Sequence, residues 1–355
     1  MLEAERALAR AEARVGVITQ EDANAVAAAC DPERYDIEVL LLEARQSGNP
    51  AEPLARRLRE VAPSAHHGAT SQDIMDTAAV LVGRTARGHI VENLELVAAA
   101  CAKLADEHRA TVMAARTLMQ QATPTTFGAK AAGWLVGVIE AKARLSAVAL
   151  PAQLGGAGGT LAALGGKGVD VLGAYAEELA LAEPTVPWHA NRFPLGDLAA
   201  ALDLTAAACA KIAVDIQLLA QTEVAEVREA SDGRSSTMPH KRNPIGSTLA
   251  RACAIGVHAA AGILISGVHE HERAAAAWHA EWRALSDALA LTGGAVDWLR
   301  VAVVGLQIDP ARMRANIRAE TLSEAERVGV GATEPEDYLG AANDLVDRAL
   351  ALYGA

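Results

Sequence analysis

Apolar residues recur at spacings of three and four along almost every long stretch of the chain. No stretch sustains the strict alternation, punctuated by turn residues, that marks strands. The pattern predicts an all-α protein. It is clearest at Leu195, Leu198, Leu202, Thr205, Cys209, Ile212, Ile216 and Leu219, a heptad seam. Continued to Glu229, the seam gives a helix on the order of 50 Å long at ~1.5 Å per residue, a length suited to a bundle. Other long helices are predicted over residues 72–107, over 124–150 with Pro124 in the first turn, over 244–266, and over 270–305 with an interruption near Gly293-Gly294. Shorter helices fill residues 1–62, broken at Asp31-Pro32 and at 47–50, and others lie behind Asp309-Pro310 and run to Tyr353. The predicted organisation is a small N-terminal helical region (1–70), a central helical bundle (71–305) and a short C-terminal helical region (306–355).

Composition sharpens this picture. Of 355 residues, 51% are hydrophobic but only 3% are aromatic, so the core is aliphatic and rich in alanine, which lets helices approach closely. A charged fraction of 21% and a mean hydropathy of +0.14 are values of a folded chain rather than a disordered one. The net charge of -12 opposes a role in holding phosphate backbones, so nucleic acid is not an expected partner. An anionic substrate would then need local positive charge in its site. Cys30, Cys101, Cys209 and Cys253 are far apart and form no zinc spacing, which fits buried thiols in a reducing cytoplasm. The start of the chain is charged and helical rather than signal-like, and no membrane partner is expected.

Three polar segments interrupt the helices: residues 63–73, 114–128 and 231–244. Chemistry concentrates in such places. The glycine clusters at 154–160 and 165–168 lack the spacing of phosphate loops and read as inter-helix turns. His269 and His271, two apart on a predicted helix start, would point in different directions and not converge on one metal ion. Trp278 and Trp282, at i and i+4, read as packing residues.

The run from Ser235 to Pro244, Ser-Ser-Thr-Met-Pro-His-Lys-Arg-Asn-Pro, is very similar to the GSSxMPxKxNP signature of the fumarase/aspartase superfamily. The resemblance implies that Ser235 handles a carbon-bound proton and that Lys241 and Asn243 hold a carboxylate. One position departs: the residue before Ser235 is Arg234 where the family has glycine, with Gly233 one place earlier. The block from His66 to Thr77 resembles the HxGxTSxDxxDTA block of adenylosuccinate lyases and 3-carboxy-cis,cis-muconate cycloisomerases. That similarity makes Thr70, Ser71 and Gln72 donors to substrate carboxylates and sets His66 on the family histidine, a further substrate-binding candidate, while His67 replaces an aromatic residue. Arg116-Thr-Leu-Met-Gln-Gln-Ala122 has Leu118 where the carbon–nitrogen lyases and fumarases have histidine; it resembles the bacterial muconate branch and brings in Thr117 and Gln120 as substrate-binding candidates. Arg192 and Arg273 are further candidates for a multiply charged substrate.

The resemblance covers nearly the whole chain and weakens at its ends, where many relatives begin earlier and carry a longer C-terminal helical domain. It implies a long-helix bundle assembled as a homotetramer, with shared sites built from different subunits. The implied reaction is lactonisation of a small tricarboxylate, 3-carboxy-cis,cis-muconate, to 4-carboxymuconolactone in protocatechuate catabolism, requiring no metal and no organic cofactor. A carboxylate nucleophile is already ionised at neutral pH, its reference pKa being ~4, so losing the histidine at position 118 suits this chemistry. A cycloisomerase acting on a sulfonated muconate, a carbon–nitrogen lyase such as adenylosuccinate lyase and a catalytically silent homologue remain open.

Overall fold

The computed structural model describes residues 1–230, 233–238 and 240–354. It is overwhelmingly helical, as the periodicity requires. In chain order the helices are α1 Leu2–Val15, α2 Gln20–Ala29, α3 Ile37–Ser47, α4 Ala51–Val61, α5 Ser71–Glu107, α6 Phe127–Ala147, α7 Gly168–Glu178, α8 Phe193–Leu219, α9 Ile245–Ile265, α10 Ala277–Val303, α11 Pro310–Asn316, α12 Ser323–Arg327 and α13 Ala342–Gly354. Two antiparallel pairs join them: β1 Val112–Thr117 with β2 Gln120–Thr126, and the short β3 Val227–Arg228 with β4 Gln307–Ile308.

The chain divides into two compact units. Unit 1 comprises residues 1–85, 148–197 and 263–283. Its core packs α1 against α2 and α7 through Ala4, Ala7, Leu8, Ala11, Leu172 and Tyr175, with Leu154 and Leu161 from the intervening loop. A second cluster, Val26, Leu54 and Leu58 among others, joins α2 to α4. Unit 2 comprises residues 86–147, 198–262 and 284–355. There Phe127 stands edge-on to Trp134, whose indole Nε1 donates to Asp215 Oδ2 at 2.8 Å and so ties α6 to α8. Helix α13 packs along α6, and the Tyr353 hydroxyl donates to Glu95. Every residue of the predicted heptad seam is buried.

Three element boundaries and one expected interruption differ from the structure. Helix α8 stops at Leu219 rather than Glu229: Ala225 is left-handed (φ 51°), the Glu226 N–H returns to the Leu219 carbonyl, and the Glu226 carboxylate is drawn to Arg116 and Asn316. The helix expected from Pro124 begins at Phe127, because Pro124 sits in β2 opposite Ala114. Helix α10 begins at Ala277, not 270, leaving residues 267–276 irregular. It then runs unbroken through Gly293-Gly294, where a Cβ on Gly294 would lie 3.2 Å from the Cys253 sulfur: the glycine allows close helix packing rather than a break. By length and composition α9 is apolar enough to cross a membrane, a property that core helices share. Cys30, Cys101 and Cys209 are buried and Cys253 is partly buried, all as free thiols.

Gly128 marks the tightest of the unit 2 contacts in α6. A Cβ there would stand 2.6 Å from both the Ala105 carbonyl oxygen and the Arg109 Cα, which are backbone atoms that cannot swing aside. Gly128→Ala should therefore lower stability by about 1–3 kcal/mol, read as a reduced urea midpoint with an unchanged slope.

Candidate active site

In unit 1 the predicted block opens α5. The Thr70 carbonyl accepts the Asp73 N–H and the Thr70 N–H donates to Asp73 Oδ2 at 2.9 Å, a cap that the Thr-Ser-x-Asp sequence favours. Asp73 is buried and fully satisfied. Its Oδ1 lies 2.5 Å from His189 Nε2 and accepts the Gly155 N–H at 2.9 Å, while Oδ2 also accepts the Gly156 N–H at 2.9 Å. The glycine cluster at 154–160 thus lets two successive amides reach one carboxylate, with Gly156 at φ 69°.

One turn further along, Asp76 organises a second buried centre. Arg192 Nη1 and Nη2 donate to Asp76 at 2.7 and 3.0 Å, and its Nε and Nη2 donate to Glu281 at 3.1 and 2.7 Å. Trp278 Nε1 and Gln72 Nε2 donate to Asp76 as well, at 2.9 and 3.1 Å, and His269 Nε2 lies 2.8 Å from Glu281 Oε1. Burial works against the guanidinium charge of Arg192, but Asp76 and then Glu281 outweigh it and hold the proton more tightly than water would. The guanidinium also stacks 4.8 Å from the Trp188 ring.

This centre bears on four of the expectations from sequence. Arg192, expected at the substrate, has all three guanidinium nitrogens engaged by protein acceptors, because only a bidentate cation neutralises two buried carboxylates at once. Gln72, expected as a donor to substrate, is buried and donates its amide to Asp76 and to the His189 carbonyl. The segment 269–273 is not a helix start: the His269 side chain is wholly buried against Glu281, whereas His271 and Arg273 are exposed. Trp278, read as packing alone, also carries a hydrogen bond and stands edge-on to Trp282 at 4.9 Å.

His66 and His67 face α1. His66 Nδ1 lies 2.6 Å from Glu5 Oε1 and His67 Nδ1 lies 2.9 Å from Glu12 Oε1, two buried glutamates seven residues apart on one helix face. His66 adopts φ 58°, which turns the chain into the cap of α5. Burial, opposed by the hydrogen bond from His67, pushes Glu12 up to about 7.

Unit 2 holds the other two segments. The β1–β2 hairpin turns through Leu118 and Met119, both at positive φ (48° and 66°), with Thr117 and Gln120 paired across the turn and all four residues exposed. Its base is fixed by Arg116, which donates to both oxygens of the fully buried Glu226 at 3.0 and 2.6 Å, and by Gln121, which donates to the Asn316 carbonyl at 2.8 Å. A cleft of about 680 Å³ lies beside it, lined by Arg116, Gln120, Asn316 and Arg318.

The signature segment is a loop between β3 and α9, and Ser231, Asp232 and Pro239 within it lie outside the described residues. Arg234 and Arg242 pair as an antiparallel bridge. The Gly233 carbonyl accepts both the backbone N–H and the side-chain Nδ2 of Asn243, each at 2.9 Å. Gly233 has φ 41°, and a Cβ there would meet the Asn243 carbonyl oxygen at 2.1 Å. The glycine requirement is thereby met one place before Arg234. At the exit, the buried Glu229 carboxylate accepts the Gly246 and Ser247 N–H groups, at 2.9 and 2.8 Å, and so caps the positive end of α9. Ser235 Oγ accepts the backbone N–H groups of Thr237 and Met238 at 3.3 and 3.1 Å, two dipoles that favour its anionic form. Lys241 is exposed, and a cleft of about 500 Å³ opens beside Asn243, lined also by Arg228, Arg242 and Gln307. Among the described residues no group of three or more metal-binding side chains converges.

Thr70 and Ser71 are thus brought together in unit 1, and Ser235, Lys241 and Asn243 in unit 2. Sequence reasoning missed the acids that hold these segments: Asp73, Asp76, Glu226, Glu229 and Glu281. The signal available was two aspartates three residues apart in the first turns of a long helix.

A helical fold carrying a serine in a lysine- and asparagine-bearing loop and a Thr-Ser cap on a long helix defines a lyase of the fumarase/aspartase type. The chain belongs to this family: the lyase family matches residues 1–258. It is 47% identical over 339 residues to the nitrosuccinate lyase of Streptomyces davaonensis, covering 89% of this chain and 72% of that one. It is 42% identical over 353 residues to the 3-carboxy-cis,cis-muconate cycloisomerase of Bradyrhizobium diazoefficiens, covering 93% and 78%. Among solved structures, the 3-carboxy-cis,cis-muconate lactonizing enzyme from Pseudomonas putida superposes with a TM-score of 0.92 at 35% identity, covering 99% of this chain and 93% of the other.

Two outcomes test this geometry. Because the folded-state pKa of Glu12 lies above its ordinary 4.5, the native state holds the proton more tightly; the stability this gives is full below pH 4.5 and is lost as pH rises through about 7. Chemical denaturation across this range should show Glu12→Gln gaining on the parent by roughly 3 kcal/mol. Arg192→Met leaves Asp76 and Glu281 without their shared cation and should cost about 3–5 kcal/mol in the same measurement. A substrate ligand would instead raise KM with stability unchanged.

Proposed function

We propose that the chain is a 3-carboxy-cis,cis-muconate cycloisomerase, forming 4-carboxymuconolactone by intramolecular addition of a carboxylate across a double bond. The observation that carries this reading is the hairpin tip: Leu118 offers no proton where a departing amine would need one. A carboxylate attacks, and in reverse departs, as a stable anion, so only the carbon-bound proton needs an acid–base group.

In this reading Ser235 moves that proton, its Oγ made more acidic by the Thr237 and Met238 amides. Thr70, Ser71, Lys241, Asn243 and Arg273 hold the carboxylates and stabilise the enolate-like charge, with Thr117 and Gln120 meeting the substrate from the hairpin. His66, anchored on Glu5, supports the cap that presents Thr70 and Ser71. Gln72 and Arg192 act from beneath through Asp76. The reading includes a cytoplasmic homotetramer whose subunits jointly supply each site, and a reaction without metal or organic cofactor.

A second reading is favoured by the 47% identity to a nitrosuccinate lyase. Nitrosuccinate would lose nitrite, also a stable anion that needs no proton to depart, so Leu118 suits both reactions. Substrate shape then decides between them.

Purified protein mixed with 3-carboxy-cis,cis-muconate should consume the conjugated diene's ultraviolet absorbance and yield 4-carboxymuconolactone. Ser235→Ala should slow this by about 10²–10⁴-fold without changing the oligomeric state. Persistence of the diene together with nitrite release from nitrosuccinate would replace the first reading by the second.

A further inference from the structure

Between α9 and α10, within unit 1, residues 266–276 run without regular structure and are largely exposed, Arg273 among them. Val268 is 85% exposed, yet the side chain of the next residue, His269, is completely buried. Its Nε2 lies 2.8 Å from Glu281 Oε1, on the same carboxylate that binds Arg192. The backbone entering the segment is pressed against this contact: a Cβ on Gly267 would stand 3.2 Å from Glu281 Oε1 and 3.4 Å from His269 Nε2. Glu270 accepts the Ala275 N–H at 3.0 Å, which closes the segment on itself and sets its shape without fixing its place. Its place is set by the imidazole.

We propose that His269 is a positioning residue for the reaction. It couples the segment bearing Arg273 to the buried Asp76–Arg192–Glu281 centre, and so to the helix turn that presents Thr70 and Ser71. A hydrogen bond to a buried carboxylate holds its geometry because neither partner has water to exchange with, whereas an exposed loop cation left to itself samples many positions. The carboxylate ligands on α5 and the cation at 273 then refer to one rigid centre. The kinetic part of the proposal rests on the reading of Arg273 as a substrate ligand.

His269→Ala and His269→Gln decide the matter, since the glutamine amide places a donor where Nε2 stands. Hydrogen–deuterium exchange of the full-length protein reports the anchor without reference to activity. His269→Ala should speed exchange across residues 268–276, and His269→Gln should restore protection. With 3-carboxy-cis,cis-muconate, His269→Ala should raise KM roughly tenfold with kcat within about twofold, the glutamine variant should recover, and the Ala variant combined with Arg273→Ala should be no worse than Arg273→Ala alone. Unchanged exchange in His269→Ala overturns the anchor whatever the kinetics show. Faster exchange with multiplicative effects in the double variant overturns the coupling to Arg273. A normal KM in Arg273→Ala refutes the substrate-ligand reading itself, and with it the kinetic half of the proposal, while leaving the exchange result to judge the anchor.

Discussion

Two carboxylates buried one turn apart at the head of α5, Asp73 and Asp76, set the terms for the rest of unit 1. A buried carboxylate without partners costs several kcal/mol, so each aspartate must be met by donors delivered from distant sequence. Asp73 is met by His189 and by two glycine amides near position 155; Asp76 is met by Arg192, Trp278 and Gln72. The native α5 turn therefore depends on donors from Gly155, Gly156, His189, Arg192 and Trp278. Burying ions in this way is a poor means of gaining stability and a good means of fixing geometry, since the donors satisfy the acids in one arrangement only.

Unit 2 uses the same device at smaller scale. Glu226 holds the hairpin through Arg116 and α11 through Asn316; Glu229 holds the start of α9. Both acids lie just before the Ser235 loop, in the stretch that helix periodicity had assigned to α8. The loop that follows them is closed by Asn243 on Gly233. Among the described residues its serine accepts the backbone amides of Thr237 and Met238.

The helical architecture was legible because it rests on periodicity: the bounds of α5 and α9 match the pattern to within a residue, and the α8 seam is buried throughout. The signature residues were legible because a long motif is specific. What was not legible depended on contacts between remote residues. The hairpin turn at Leu118-Met119 uses left-handed residues without the Asn-Gly or Asp-Gly that would announce it. The end of α8 follows from the Glu226 ion pair, and helix propensity at Glu223–Glu229 gave no warning of it. Arg192 looked like a surface or substrate cation because its two acids are 116 and 89 residues away.

The acidic balance of the chain bears on the same division of labour. At a net charge of -12 the mean field repels a multiply anionic substrate, so attraction has to be local. Arg192 contributes nothing to it, since its charge is cancelled within the buried centre. Exposed cations on the candidate segments include Arg234, Lys241 and Arg242 on the signature loop and Arg273 on the segment before α10. These lie on irregular backbone, where a long side chain has the most freedom to lose on binding. Fixing the backbone that carries such a cation lowers that cost without shielding the charge, and a buried imidazole four residues before Arg273, held on Glu281, is placed to do so.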